Sequence, residues 1–79
     1  MNRADIQKII IDILEKEMGL VDGSVALDQT RESLGLDSLD DFEILMWIEE
    51  ECGVDILDEE WVALTTVSDM VELVAGKIL

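Results

Sequence analysis

The apolar positions of this chain recur at helical spacing in three stretches and lose all period in one long one. In "NRADIQKIIIDILEKEMG", Ile6, Ile9, Ile10, Ile13 and Leu14 fall three and four apart, which sets them on one side of an α-helix. Asn2 is a cap for that helix, Asp5 favours the positive end of its dipole, and Gly19 can close it. Residues 20 to 36 carry the turn formers Asp22, Gly23, Ser24 and Gly35 and predict a long loop, pinned to a core by Val25, Leu27 and Leu34. Ordered loops of that length in small domains are often functional. A second helix is predicted from about Leu39 to Cys52, stopped by Gly53. "DEEWVAL" reads as a brief third helix with an acidic first turn. Thr66 and Asp69 then make a capping-box pattern ahead of Val67, Met70, Val71, Val74 and Ile78, which share one face of a fourth. The expected fold is all-α: a small four-helix bundle with a long first loop and a short third helix, forming one domain over residues 1–79.

The predicted second helix has two apolar sides. Leu45, Ile48 and Cys52, with Ile44 close by, make an adequate core stripe. Leu39, Phe42 and Met46 make another, flanked by Glu43, Glu49 and Glu50. A helix in a small bundle cannot bury its whole circumference, and an apolar centre with a charged rim is the anatomy of a docking surface. Periodicity alone leaves open whether the second stripe is core or surface. Just ahead of it, Ser38-Leu39-Asp40-Asp41 matches a capping box with Asp37 as a competing cap, and on the residues alone capping is the default reading of Ser38. A second reading stands beside it. A phosphate attached near a helix N-terminus meets free backbone N–H groups and the positive end of the dipole.

Charge narrows the choice of function. Of 79 residues, 20 are Asp or Glu and 5 are Lys or Arg, a formal net charge of −15, and no basic residue lies between Arg31 and Lys77. Such a surface repels nucleic acid and anionic lipid and attracts basic protein patches, and self-repulsion makes a monomer the expected state. The apolar content, 49%, separates the chain from disordered acidic sequences. With no histidine, a Ser-His-Asp triad, a Cys-His pair and the usual zinc sites are all excluded. The twenty carboxylates form no local constellation that points to an enzyme. Cys52 has no partner for an internal disulfide, no signal-peptide pattern opens the chain and no apolar run is long enough to span a bilayer, so a cytoplasmic setting without stable membrane association is expected.

The stretch "LGLDSLDDFEILMWIEEECGVDILDEEWVALTTVSDMVELV" resembles the acyl carrier protein family. Asp37-Ser38-Leu39 matches the family's attachment tripeptide, preceded by Leu34-Gly35. The match continues without a gap through Glu43, Met46, Glu49-Glu50-Glu51, Ile56, Asp58-Glu59-Glu60 and Thr66-Val67. The resemblance implies a non-catalytic carrier. Ser38 would take a covalent 4′-phosphopantetheine group from coenzyme A, delivered by a phosphopantetheinyl transferase with magnesium that Asp37 helps to position, and no intrinsic metal is implied. Basic-surfaced acyl-processing enzymes would dock on Leu39, Phe42 and Met46 and on Asp40, Glu43, Glu49 and Glu50, which assigns the second stripe to the surface. An apolar cargo would lie between the helices, among Leu45, Ile48, Ile56, Leu64 and Met70. Fatty-acid, polyketide and related pathways all use such carriers. The alternatives are a carrier of amino acids or peptides on the same arm, and an unmodified acidic helical adaptor or charge mimic in which Ser38 only caps.

Several residues depart from the family pattern. Thr30 and Cys52 stand where phenylalanine is usual, Ser33 where aspartate is usual, and Leu57 where proline is frequent. Trp61 and Val62 occupy a short helix that commonly holds small or charged residues. Trp61 would restore volume lost elsewhere, whereas a partly exposed Trp47 or Val62 would add contact area for a partner. Cys52 is expected to act as a small buried hydrophobe.

Overall fold

The computed structural model describes all 79 residues and contains four helices: α1 (Arg3–Glu17), α2 (Ser38–Cys52), α3 (Asp58–Val62) and α4 (Val67–Ile78). Their starts follow from local acceptors for the first free N–H groups. Asn2 Oδ1 accepts the Asp5 N–H at 2.9 Å, and the Asp5 carboxylate accepts the Asn2 N–H at 3.2 Å. Thr66 and Asp69 repeat the exchange ahead of α4, where Asp69 Oδ2 also takes the Thr65 N–H at 2.9 Å. Those backbone donors hold the Asp69 carboxyl below its ordinary 3.8. Gly53 ends α2 in the left-handed conformation, φ +66°, a backbone that a side chain would strain.

Helix α1 packs against both α2 and α4. Its Ile6, Ile10 and Leu14 are fully buried against Ile44 and Ile48 of α2 and Val67, Met70 and Val74 of α4. Ile9 lies at the margin of this core. The long loop is tied at both ends. Glu15, a carboxylate only 6% exposed, accepts the Val25 N–H at 3.2 Å, and Val25 is buried beside it while Leu27 and Leu34 are half-buried. Further along, Thr30 forms an antiparallel bridge with Thr66, and the N–H groups of Val67 and Ser68 donate to the Gln29 and Leu27 carbonyls at 2.9 and 2.8 Å. The loop therefore satisfies the N-terminal donors of α4. Thr30 and Ser33 exchange hydrogen bonds across the next turn, which gives these two departures from the family pattern a local purpose. No helix is long and apolar enough to cross a membrane.

Candidate functional site

The residue that caps α2 is Asp37, not Ser38. Asp37 Oδ1 accepts the Asp40 N–H at 2.9 Å and Asp40 Oδ2 accepts the Asp37 N–H at 3.2 Å, so the box closes one residue earlier than the pattern Ser38–Asp41 implied. Both registers were chemically available. What separates them is Asp41, which is drawn into an ion pair with Arg31, Nε to Oδ1 at 2.8 Å, and is not free to turn back on the cap. Ser38 thereby becomes the first residue of the helix proper, exposed, with its hydroxyl in no hydrogen bond. The backbone N–H groups of Ser38 and Leu39 also donate to nothing in the chain, because the cap serves Asp40 and the first intrahelical bond runs from Asp41 to the Asp37 carbonyl at 3.0 Å.

This arrangement suits a phosphodiester on Ser38. Two unpaired N–H donors stand beside the hydroxyl at the positive end of a 15-residue helix. The nearby carboxylates oppose that charge, yet each is engaged: Asp37 and Asp40 with each other's N–H groups, Asp41 with Arg31. Ser38 also borders a depression of about 260 Å³ between α2, through Asp41, Phe42 and Leu45, and α3, through Asp58, Trp61 and Val62.

The two apolar sides of α2 divide cleanly. Ile44, Leu45 and Ile48 are buried and Cys52 is half-buried. Leu39, Phe42 and Met46 are 66%, 57% and 54% exposed, so the second stripe is surface. Glu43 and Glu50 stand free around it, and with Met46 and Trp47 they line a shallow groove. Asp40 and Glu49 are half-buried and partly occupied, the latter by the Ile56 N–H at 3.0 Å. The five residues named for the cargo do not share one cavity. Leu45 borders the depression at Ser38; Ile48, Ile56 and Met70 lie in the packed core; Leu64 is half-buried beside a separate depression with Thr30 and Arg31. Burial, then the neighbouring Glu51, pushes the Cys52 thiol above its ordinary 9.0 and keeps it neutral.

Sequence reasoning missed Arg31. Its Nη2 and Nη1 donate to the Trp61 and Leu64 carbonyls at 2.5 and 3.0 Å, its Nε pairs with Asp41, and its guanidinium lies 4.9 Å from the centre of the Trp61 ring. One side chain of the long loop thus joins the start of α2 to α3. The available signal was its isolation as the last cation before a long acidic run.

Comparison with known proteins gives a consistent result. The family model for the phosphopantetheine attachment site matches residues 8–74. An acyl carrier protein of Thermosynechococcus vestitus is 37% identical over 75 residues, covering 85% of this chain and 93% of its own. One from Rickettsia bellii is 37% identical over 76 residues, 94% of each chain. The crystal structure of an acyl carrier protein from Thermotoga maritima matches this fold with a TM-score of 0.83 at 29% identity, over 99% of this chain and 92% of that one.

Proposed function

The chain belongs to the acyl carrier protein family, and from that membership we propose that Ser38 is the residue that carries its 4′-phosphopantetheine group. The protein is a non-catalytic carrier of acyl intermediates. When bound, that group supplies a mobile arm ending in a thiol that holds the acyl chain as a thioester. The remaining work belongs to the chain itself. Ser38 presents a hydroxyl that no neighbour consumes; in the transfer its oxygen would bond to the pantetheine-side phosphorus of coenzyme A, its proton would pass to a base of the transferase, and the pyrophosphate bond would break with adenosine 3′,5′-bisphosphate as the leaving group. Asp37 keeps one carboxylate oxygen free of the cap, available to a transferase's magnesium. The N–H groups of Ser38 and Leu39 receive the new phosphodiester charge.

Leu39, Phe42 and Met46 supply the apolar centre of a docking face and Glu43 and Glu50 its free charges; Asp40 and Glu49 contribute from partly occupied positions. The partners that fit are acyl-processing enzymes with basic rims around an apolar hollow. Steering by opposite charge brings them quickly without tight binding, which suits a carrier that must leave each enzyme. The tether replaces diffusion with an effective concentration of about millimolar for short flexible linkers. Cargo enters the depression between α2 and α3, with Leu45 as its first apolar contact. A single cysteine with no partner for an internal disulfide fits a reducing, cytoplasmic setting, and a monomer fits a surface that repels its own copies.

The observation that carries the assignment is the exposed, unbonded Ser38 hydroxyl at the first position of α2, freed from capping by Asp37. Intact-protein mass before and after incubation with coenzyme A, magnesium and a broad-specificity phosphopantetheinyl transferase tests it. A gain of one phosphopantetheine on the wild type and none on Ser38→Ala is the expected result. Equal gain on both proteins would move the site elsewhere.

A further inference from the structure

On the reading that Ser38 bears the acyl arm, we propose that Trp61, clamped by Arg31, forms the floor of the depression beside Ser38 and restricts this carrier to short acyl groups. The depression of about 260 Å³ is open to solvent and falls below the roughly 300–1,000 Å³ of ordinary ligand pockets. Trp61 borders it and is only 3% exposed, so most of its indole lies beneath the surface. The core itself is closed: Ile48, Ile56 and Met70 are 0%, 6% and 1% exposed, and no depression reaches any of them. An acyl chain gains apolar burial with each methylene until it meets the indole. To continue it must push the indole aside.

Arg31 resists that movement from three directions. Its guanidinium lies over the ring, its Nη atoms donate to the Trp61 and Leu64 carbonyls, and its Nε sits 2.8 Å from Asp41 Oδ1 on α2 as an ion pair without hydrogen-bond geometry. The clamp is 18% exposed on the arginine side and 23% on the aspartate side, shielded enough to hold. The indole Nε1–H is sealed from solvent and donates to nothing, so Trp61 is fixed by packing and by Arg31 rather than by its own polar atom. Trp61 is the specificity-determining residue, and Arg31 positions it.

The test loads the full-length protein with acetyl, butyryl, hexanoyl, octanoyl and dodecanoyl phosphopantetheine from the matching coenzyme A thioesters, each product verified by intact mass. Thermal midpoint and the rate of thioester cleavage by hydroxylamine are then read against chain length. Wild type is expected to gain stability and protection up to about hexanoyl and to stay level beyond it. In Trp61→Leu both curves continue to dodecanoyl, with cleavage of that thioester several-fold slower than in wild type. Arg31→Gln, which keeps the indole but releases it, gives the same extension and serves if Trp61→Leu does not fold. A wild-type curve that climbs steadily to dodecanoyl, one that never rises, or variants that level off where wild type does, would each overturn the proposal. Failure to gain mass at Ser38 would instead remove the attachment reading on which it rests.

Discussion

Asp37 and Ser38 are adjacent, both are capping residue types, and the fold gives only one of them that task. Because Asp37 holds the box with Asp40, replacing it with alanine is expected to lower unfolding free energy by about 1 kcal/mol, within the ~0.5–2 kcal/mol range for lost N-caps. Ser38→Ala, removing an exposed hydroxyl with no partner, should stay within about 0.5 kcal/mol of wild type while losing all modification. Urea unfolding of the two variants measures the contrast, and the opposite order would return the cap to Ser38. A titration argument applies at Asp69. Its carboxyl is held low by the Thr66 and Thr65 N–H groups, so its stabilising effect is complete above its unfolded value and is lost as pH falls through the lower folded one. Below about pH 4, Asp69→Asn is expected to show a shallower fall in thermal midpoint than wild type, a slope read from scans at successive pH values. These details were unevenly legible. The cap at Asn2 and the box at Thr66–Asp69 could be read because each lies within four residues and has one register, although Asp5 was legible only as a partner of the helix dipole and not as the acceptor of the Asn2 N–H. Around Ser38 two registers were possible, and the choice was made by Arg31, seven residues upstream in the loop.

At the scale of elements, α2 carries a buried apolar side and an exposed one on the same cylinder. Ile48 is fully buried, so Ile48→Ala should cost about 2–5 kcal/mol. Phe42→Ala removes a ring that is 57% exposed and should leave stability within about 0.5 kcal/mol, yet weaken association with an acyl-processing enzyme by tenfold or more, the effect of losing an interface anchor of about 1.4 kcal/mol or greater. Calorimetric unfolding of the free protein and surface-plasmon binding of the loaded one separate these outcomes; unchanged binding would remove Phe42 from the docking face. The existence of α1, α2 and α4 could be read from period and caps because those signals are local. The surface position of Leu39, Phe42 and Met46 could not, since period shows which residues share a side and not what covers it. The short α3 was visible as an acidic turn before Trp61, but its attachment was hidden. Arg31 reaches carbonyls 30 and 33 residues away, and nothing in a local window announces such a bond.

Over the whole molecule, the charge acts on a body measuring 29 × 25 × 21 Å. At about 0.01 M ionic strength the Debye length is roughly 30 Å, comparable with those dimensions, so every carboxylate acts on every other. At about 0.15 M it falls to roughly 8 Å and only neighbours interact. With 20 acidic against 5 basic side chains, the distant terms are mostly repulsive and exist chiefly in the compact state. Against them stand a few short attractions, of which Arg31–Asp41 is the most shielded and the least sensitive to salt. Screening therefore removes more repulsion than attraction. The thermal midpoint is expected to rise by several degrees between these two ionic strengths, with most of the gain below 0.1 M, as differential scanning calorimetry across a sodium chloride series would show. Docking to a basic enzyme should move the other way over the same range, losing on-rate as steering is screened. A midpoint that fell with salt would mean that the short ion pairs outweigh the global field. Opposite salt responses of fold and docking would follow from a single cause, a surface whose like charges repel one another and attract a basic partner.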